Sequence, residues 1–220
     1  RVIPAILAVA DPMGSNGRSV ITATVVAYDV VYRLCDQLDT MALGWNQALC
    51  TGLGSAAGLG NLVGLSQEQM AHALSMTAIN SLPLRQTRAN NMTMWKCCDS
   101  ADANQRVVNY VFLAADGMTA PGEPFEGQWG LWHQAGAGTV ELEAFGRDNE
   151  SYKITQISQK CYACHGHGEA PISMALELRG KVKIDEIQAI NIQTYHEALF
   201  NVGGGPDKPQ RLDPQTREDA

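Results

Sequence analysis

Residues 85–96 place three cationic side chains close together. Arg85, Arg88 and Lys96 fall within this stretch, although Lys and Arg together number only 16 among 220 residues. Guanidinium and ammonium groups pair with carboxylates and phosphates, so this spacing favours an anion-binding loop. Because Asp99 or Ser100 is predicted to cap the next helix, the Lys96 ammonium is expected near a helix N-terminus, which also stabilises anions. The alternative interpretation is a solvated turn, since loop cations are common.

A second stretch combines one cation with two side chains that can move a proton. Lys160, His165 and His167 lie in a glycine-containing loop just before a predicted helix. A lysine there could hold a carboxylate, and histidine is the side chain best matched to proton transfer near neutral pH. The alternative for these residues is a solvated loop with surface histidines.

The same stretch contains a Cys-x-x-Cys-His pattern made of Cys161, Cys164 and His165. This spacing is that of a c-type haem attachment site, in which the thiols bond the haem and the histidine ligates iron. With His167 the pattern becomes Cys-x-x-Cys-His-x-His, whose thiols and imidazoles are typical zinc ligands. The pattern is short and occurs by chance, so a haem or zinc module is kept as an alternative class of function.

Composition limits the remaining classes of protein. The chain is 45% hydrophobic and 18% charged, which suits one folded domain or two small ones. Its net charge is −7 and no run of Lys or Arg occurs, which argues against a nucleic-acid partner. Six dispersed cysteines indicate a reducing compartment, so the cytoplasm is expected, with the mitochondrial matrix as the alternative.

Hydrophobic spacing and length predict that the first two thirds of the chain are helical. The predicted helices cover residues 2–10, 19–35, 48–65, 66–79 and 99–115. The third of these is uncharged and near the length of a membrane span, but its five glycines favour a buried helix and no membrane partner. Its small residues recur at every fourth position, which predicts close approach to a neighbouring helix along Gly52, Ala56, Gly60 and Gly64.

The clearest helix start lies at Ser66. Ser66 can cap the helix and Gln69 occupies its third position, which together form a capping box. Leu65 and Met70 flank this start as a hydrophobic staple.

The last third of the sequence has a mixed character. An extended loop after Gly117 is expected to be held by Phe125, Trp129 and Trp132. A short helix at 171–178 and an alternating strand at 190–194 follow. The sequence therefore predicts a mainly α protein: a helical domain over 1–145, then the start of a smaller α+β domain over 146–220, with the boundary near 140–150.

A series of short motifs runs along the chain. They are LRQTR at 84–88 with MWK at 94–96, DGMTAP at 116–121 with PFEG at 124–127, YKI at 152–154 with KCY at 160–162, ALELR at 175–179, and DPQTRE at 213–218. These motifs, in this order, resemble those of the MmgE/PrpD family, which includes 2-methylcitrate dehydratase and cis-aconitate decarboxylase. Together they cover nearly the whole chain. Because the sequence opens at Arg1 without an initiator methionine and closes at Ala220 without a recognisable end, it is expected to be a fragment of a longer protein.

The resemblance implies a homodimeric lyase without metal or organic cofactor, acting on a small polycarboxylic acid between a helical and an α+β domain. Lys96 and Lys160 match lysines of the family's substrate pocket, and His165 matches its histidine, so these three are the expected catalytic residues. His167 replaces His165 if the alignment shifts by two residues. Arg85 and Arg88 are the expected carboxylate partners.

Two departures from the family pattern bear on the reaction. Many members carry a histidine around positions 46 and 47, where this chain has Asn46 and Gln47. An amide such as Gln47 can bind substrate but cannot act as a general base. The family's Asp-Thr and His-Pro motif is expected in the segment that precedes Arg1.

The expected reaction is dehydration of a substrate like 2-methylcitrate, by removal of a proton beside a carboxylate and loss of water. A decarboxylase like that acting on cis-aconitate, or an epimerase, is the alternative within the family. An inactive family member that serves as a scaffold is a further alternative, because of the missing histidine.

Overall fold

Helices dominate the part of the chain that the computed structural model describes, which comprises residues 1–88, 93–142, 146 and 151–202. The prediction of a mainly α fold is confirmed. The chain divides into two compact units, Arg1–Ile157 and Ser158–Ala220. The motif at 213–218 lies outside the described residues.

The described residues of the first unit, 1–88, 93–142, 146 and 151–157, form six α-helices. They are α1 (Ile3–Ala10), α2 (Gly17–Gln37), α3 (Ala48–Val63), α4 (Gln67–Asn80), α5 (Trp95–Ala115) and α6 (Leu131–Ala135). Short 3₁₀ turns occupy Arg85–Arg88 and Lys153–Gln156.

Helix α2 is rich in β-branched residues yet is helical along its whole length. Asn16 caps its start by accepting a hydrogen bond from the Ser19 backbone N–H at 3.0 Å. The hydroxyls of Thr22 and Thr24 donate to the carbonyls one turn earlier, at 3.0 and 2.8 Å. The hydroxyl groups of these threonines are thus satisfied within the helix. The packing of α2 against α3 outweighs the preference of its β-branched residues for strands.

Helix α3 is the centre of the first unit. All of its residues from Ala48 to Gly60 are buried, and it packs against α1, α2, α4 and α5. A helix that is surrounded by other helices must be apolar on every side, which explains its uncharged sequence. Across the part of the chain that the structure describes, the helices all fall short of the length and apolar character that a membrane crossing requires.

The glycines that bring α3 close to its neighbour differ from those predicted. A Cβ atom on Gly54 would lie 2.7 Å from the Ala27 carbonyl oxygen of α2, and one on Gly58 would lie 2.6 Å from that of Ala23. Gly52 has ordinary space around it, and Gly64 ends the helix with a φ of +82°. Gly60, which belongs to the predicted set, lies close to the Met70 side chain, from which a Cβ would be 2.6 Å away. The glycines that meet the backbone of α2, Gly54 and Gly58, also lie four residues apart but were not in the predicted set.

Gly58→Ala is expected to lower the free energy of unfolding by about 1–3 kcal/mol, because α2 must move away from the new methyl group. The methyl would contact backbone at 2.6 Å, which cannot rotate aside as a flexible side chain can. Urea denaturation of the variant and the wild type measures the difference.

Gly52→Ala is the matched control in the same helix. Its Cβ would meet only side-chain methyl groups, the nearest being that of Thr77 at 3.6 Å. We expect this variant to be as stable as the wild type or up to about 1 kcal/mol more stable, because alanine favours the helix. Equal losses in both variants would contradict the close contact between α2 and α3.

The capping box at the start of α4 is confirmed. The Gln69 backbone N–H donates to the Ser66 hydroxyl at 3.2 Å, and the Ser66 backbone N–H donates to the Gln69 side-chain oxygen at 2.9 Å. The Gln69 side-chain nitrogen also donates to the Ala115 carbonyl at 3.0 Å, at the end of α5. Leu65 and Met70 both lie against Gly60, as the staple predicts.

Helix α5 begins earlier than predicted. It starts at Trp95, so Asp99 and Ser100 lie inside it and Lys96 belongs to its first turn, not to a preceding loop. The Asp99 side chain is not a cap because it pairs with other parts of the unit, as described below. Gly117 ends the helix as predicted, with a φ of +91° and a hydrogen bond from its N–H to the Ala114 carbonyl.

Only part of the predicted aromatic anchor holds the loop before α6. Phe125 and Trp132 pack with their ring centroids 5.1 Å apart, and Trp132 is buried. Trp129 is 75% exposed, so the prediction that it pins the loop is wrong. Its ring meets the edge of His133 at the surface.

Residues 153–156 are tied to the first unit. The Lys153 backbone N–H donates to Asp29, and its ammonium pairs with Asp36, both on α2. These contacts explain why the compact unit extends to Ile157. The domain boundary at 145 and the α+β character of the later domain stay predictions.

The second unit is described from residue 158 to residue 202. It contains α7 (Glu169–Leu178), α8 (His196–Val202) and 3₁₀ turns at Gly166–Gly168 and Ile184–Glu186. The predicted helix at 171–178 is confirmed. Residues 190–194 are not a strand, because a strand needs a neighbour to pair with and the described residues supply none.

Candidate functional site

A short backbone pairing brings two of the predicted site segments together. Trp45 and Leu84 form an isolated antiparallel bridge. The Asn46 N–H donates to the Pro83 carbonyl at 2.8 Å, and the Arg85 N–H donates to the Gly44 carbonyl at 3.0 Å. The start of α3 and the turn that carries the arginines therefore lie side by side.

Asp99 joins these segments to α5. Its carboxylate accepts hydrogen bonds from the Asn46 side chain at 2.6 Å and from the Arg88 guanidinium at 2.8 Å. The second amide hydrogen of Asn46 is donated to the Thr87 hydroxyl at 2.7 Å, and its oxygen accepts from the Ala48 N–H. With every group of this amide paired, the arginine turn is held in one orientation. We call Asn46, Thr87, Arg88 and Asp99 the Asp99 network.

A cavity of about 290 Å³ opens in the first unit near this network. Its lining residues are Arg1, Val2, Tyr28, Val31, Tyr32, Cys35, Gln47 and Thr51. The Arg1 guanidinium donates to the Gln47 side-chain oxygen at 3.0 Å, which fixes both polar groups in the cavity wall. Gln47 therefore lies where a bound molecule could contact its amide, as expected for a substrate-binding residue.

The cations around the cavity influence one another. Burial lowers the pKa of Arg1, the Arg88 guanidinium lowers it further, and Asp99 opposes the change. Burial likewise lowers the pKa of Arg85, again with Arg88 acting in the same direction and with Asp39 opposing it. Guanidinium groups stay charged in proteins, so cations gathered in this way attract anions in addition to the carboxylates of Asp39 and Asp99.

Lys96 lies one turn before Asp99 on α5. Residues three apart on a helix are neighbours on its surface, so the Lys96 side chain starts on the same side of α5 as the Asp99 carboxylate. It is half-buried. The first unit thus brings four predicted residues, Gln47, Arg85, Arg88 and Lys96, to one region.

The second unit holds the other predicted residues in a compact turn. The Lys160 ammonium donates to the Cys164 carbonyl at 2.9 Å. The His165 Nδ1 accepts from the His167 backbone N–H at 3.4 Å, and the two imidazole rings lie 4.9 Å apart. His167 also shares a hydrogen bond with the Tyr195 hydroxyl.

The contact at Nδ1 bears on the tautomer of His165. Because Nδ1 accepts a long hydrogen bond of 3.4 Å, the neutral tautomer that carries its proton on Nε2 is favoured. In that tautomer Nε2 can donate to a substrate oxygen, and in the opposite tautomer it can act as a base. Lys160, His165 and His167 are therefore brought together within this unit.

The Cys-x-x-Cys-His pattern is a folded turn with its own internal partners. The Cys161 backbone N–H donates to the Glu169 carboxylate, and the Cys164 thiol donates to the His165 carbonyl. Across residues 1–88, 93–142, 146 and 151–202, no three His, Cys, Asp or Glu side chains gather in a group suited to a metal ion.

Sequence reasoning missed several residues of this region. Asp99 was interpreted as a helix cap, and neither Arg1 nor Cys35 was considered for the site. A buried carboxylate leaves no local signal, because its partners Asn46 and Arg88 come from distant segments. The only available hint was that Asp99 lies one turn after Lys96.

Comparison with known proteins shows which family the chain resembles in sequence. Residues 1–142 match the model of the MmgE/PrpD N-terminal domain. The chain is 25% identical over 216 residues to 2-methylcitrate dehydratase of Escherichia coli K12, covering 90% of this chain and 44% of that protein. It is 25% identical over 193 residues to the enzyme of the same name from Cupriavidus necator, covering 84% and 39%.

A fungal protein named alkylcitrate dehydratase shows a similar relationship. It is 26% identical over 185 residues, covering 80% of this chain and 36% of that protein. The chain thus spans less than half the length of these relatives.

Proposed function

Because the chain belongs to the MmgE/PrpD family, we propose that it forms part of a lyase that removes water from a small polycarboxylic acid. The family match and the names of the relatives support a dehydratase-like protein. A substrate like 2-methylcitrate or a longer alkylcitrate is the finer part of the proposal. The relatives act on this class by name, and the first unit has the charge to hold it.

The observation that carries this proposal is a group of guanidinium side chains at the cavity and the neighbouring turn. Arg1 lines the cavity and is influenced by Arg88, which also influences Arg85. The carboxylates of Asp39 and Asp99 lie among these groups, and that of Asp36, next to Cys35 in the cavity wall, pairs with Lys153. In a chain with a net charge of −7, guanidinium groups gathered in this way favour a ligand that carries carboxylates.

The proposed reaction follows from how a hydroxy acid loses water. A base removes the proton on the carbon beside one carboxylate, and the electron pair forms the new C=C bond. The hydroxyl on the neighbouring carbon accepts a proton and leaves as water. Negative charge develops on the carboxylate during this step, so a nearby cation lowers the barrier.

We assign the roles in this reaction as follows. Lys96 and Lys160 hold substrate carboxylates and offset the developing charge. His165 supplies or removes the proton, and His167 takes this role if His165 does not. Arg85, Arg88 and Gln47 bind the remaining carboxylates and hydroxyl of the substrate.

The assembly belongs to the same proposal. We propose a homodimer that works without metal or organic cofactor in a reducing compartment, the cytoplasm being the first choice. The six free cysteines are compatible with such a compartment.

The test is turnover by the full-length protein of 2-methylcitrate, longer alkylcitrates and cis-aconitate. Ultraviolet absorbance follows formation of the conjugated C=C bond, and release of carbon dioxide reports decarboxylation. We expect dehydration of an alkylcitrate, unchanged after dialysis against a chelator.

Two other results of this assay would contradict the proposed dehydratase. Release of carbon dioxide from cis-aconitate would replace the dehydratase with the decarboxylase alternative. Absence of turnover on every polycarboxylate, in a folded dimeric protein, would contradict the proposed lyase and favour an inactive scaffold.

A further inference from the structure

One cysteine lies in the wall of the cavity and has no role in the proposed reaction. Cys35, near the end of α2, is exposed and lines the cavity beside Arg1 and Tyr32. Cys50, in the first turns of α3, is fully buried. An accessible thiol next to a buried one is the arrangement in which an oxidant attacks the first and the second completes a disulfide.

The packing of α2 on α3 places these two cysteines opposite each other. Gly58 lies against Ala23 and Ala27, and Gly54 lies against Ala27 and Val31, so the helices run antiparallel. One turn further along the same pairing, position 50 of α3 faces position 35 of α2. Hydrogen bonding between the two thiols shifts the pKa of each in opposite directions, which agrees with their placement as neighbours.

We propose that Cys35 and Cys50 are a reversible dithiol–disulfide pair, which a peroxide oxidises from the cavity side. The close approach of the two helices at their glycines makes a bridge between facing residues geometrically accessible.

The electrostatics favour Cys35 as the residue that is attacked. The hydrogen bond from the Cys50 thiol lowers the pKa of Cys35, and Arg1 acts in the same direction, against the opposing effects of burial and Asp36. The same hydrogen bond, together with burial, raises the pKa of Cys50. When the pair loses a proton, the negative charge therefore resides on Cys35, and the thiolate is the form that reacts.

The proposed oxidation balances in two steps. The Cys35 thiolate attacks hydrogen peroxide, giving a sulfenic acid on Cys35 and releasing hydroxide. The Cys50 thiol then displaces that hydroxyl, forming the S–S bond and releasing water. A dithiol such as dithiothreitol returns both cysteines to thiols and is itself oxidised.

The test maps the thiols of the full-length protein after a limiting dose of hydrogen peroxide. Free thiols are blocked with N-ethylmaleimide, and the digest is analysed by mass spectrometry. We expect a linked peptide containing Cys35 and Cys50 that dithiothreitol removes. The Cys35 thiol should be lost at least about tenfold faster than the thiol of Cys98, an exposed cysteine on α5.

Three variants separate the two steps. Cys50→Ser should stop the reaction at a sulfenic acid on Cys35, which dimedone traps, and Cys50→Ala serves the same purpose if the serine variant does not fold. Cys35→Ser should leave Cys50 unmodified. Cys98→Ser is the matched control and should form the disulfide at the rate of the wild type.

Two results would overturn the proposal. One is the absence of the Cys35–Cys50 peptide from the oxidised wild type. The other is loss of the Cys35 thiol no faster than that of Cys98. Neither result depends on whether the protein turns over a polycarboxylate.

Discussion

Asp99→Ala is expected to lower the free energy of unfolding of the protein by about 3 kcal/mol. The Asp99 side chain is only 4% exposed, and its removal leaves Arg88 and one amide hydrogen of Asn46 without their partner. A buried donor that loses its acceptor costs more than the bond itself contributed. Urea denaturation followed by circular dichroism measures the loss.

Asp102→Ala is the matched control for this substitution. Asp102 lies on the same helix and pairs with Arg106 one turn later, but the two side chains are 32% and 51% exposed. Exposed pairs of this kind contribute little, so we expect a change below about 0.5 kcal/mol. Similar losses in the two variants would mean that the Asp99 network does not hold the first unit together.

Lys96→Ala and Lys160→Ala are each expected to abolish measurable turnover by the full-length protein, a loss of at least about 100-fold in kcat/KM. Each substitution removes a cation that the proposed reaction needs while charge develops on a carboxylate. Turnover of the best substrate, measured beside the wild type, quantifies both losses.

Lys181→Ala is the control for these two variants. Lys181 is exposed in the second unit and has no role in the proposed reaction, so its loss should leave the rate unchanged. Circular dichroism of all three variants should match that of the wild type. Normal turnover by a folded Lys96→Ala or Lys160→Ala variant would remove that lysine from the proposed site.

Local signals allowed accurate prediction of several elements. The start of α4 is determined by two residues, Ser66 and Gln69, whose side chains hydrogen-bond to backbone N–H groups within one turn. The end of α5 is likewise marked by Gly117, the residue that adopts a positive φ most easily. Such features depend on few neighbours, so the sequence alone determines them.

Features that depend on distant segments were not predictable in this way. The start of α5 was placed at Asp99 because Asp is a good cap, but here Asn46 and Arg88 compete for its carboxylate. The glycine face of α3 was misassigned because only the neighbouring helix distinguishes Gly58 from Gly52. Both errors arose where tertiary contacts decide between equally good local patterns.

The residues of the candidate site also fall into two groups, those that the sequence identified and those that only the folded structure shows. Arg85, Arg88, Lys96 and Gln47 were selected by residue type and resemblance, and the structure brings them to one region. Their common partner Asp99, and the cavity residue Arg1, could be recognised only after folding. The roles of all these residues, and of Lys160 and His165, remain predictions.

The side-chain amide of Gln69 links the first turn of one helix to the last turn of another. Its oxygen accepts a hydrogen bond from the Ser66 N–H at the start of α4, while its nitrogen donates to the carbonyl of Ala115 at the end of α5. A glutamate, normally an interchangeable choice at this position of a cap, would keep the first bond but place a negative charge against the negative end of α5. The two helix ends therefore impose independent demands on one side chain, and only a group that both donates and accepts meets them together.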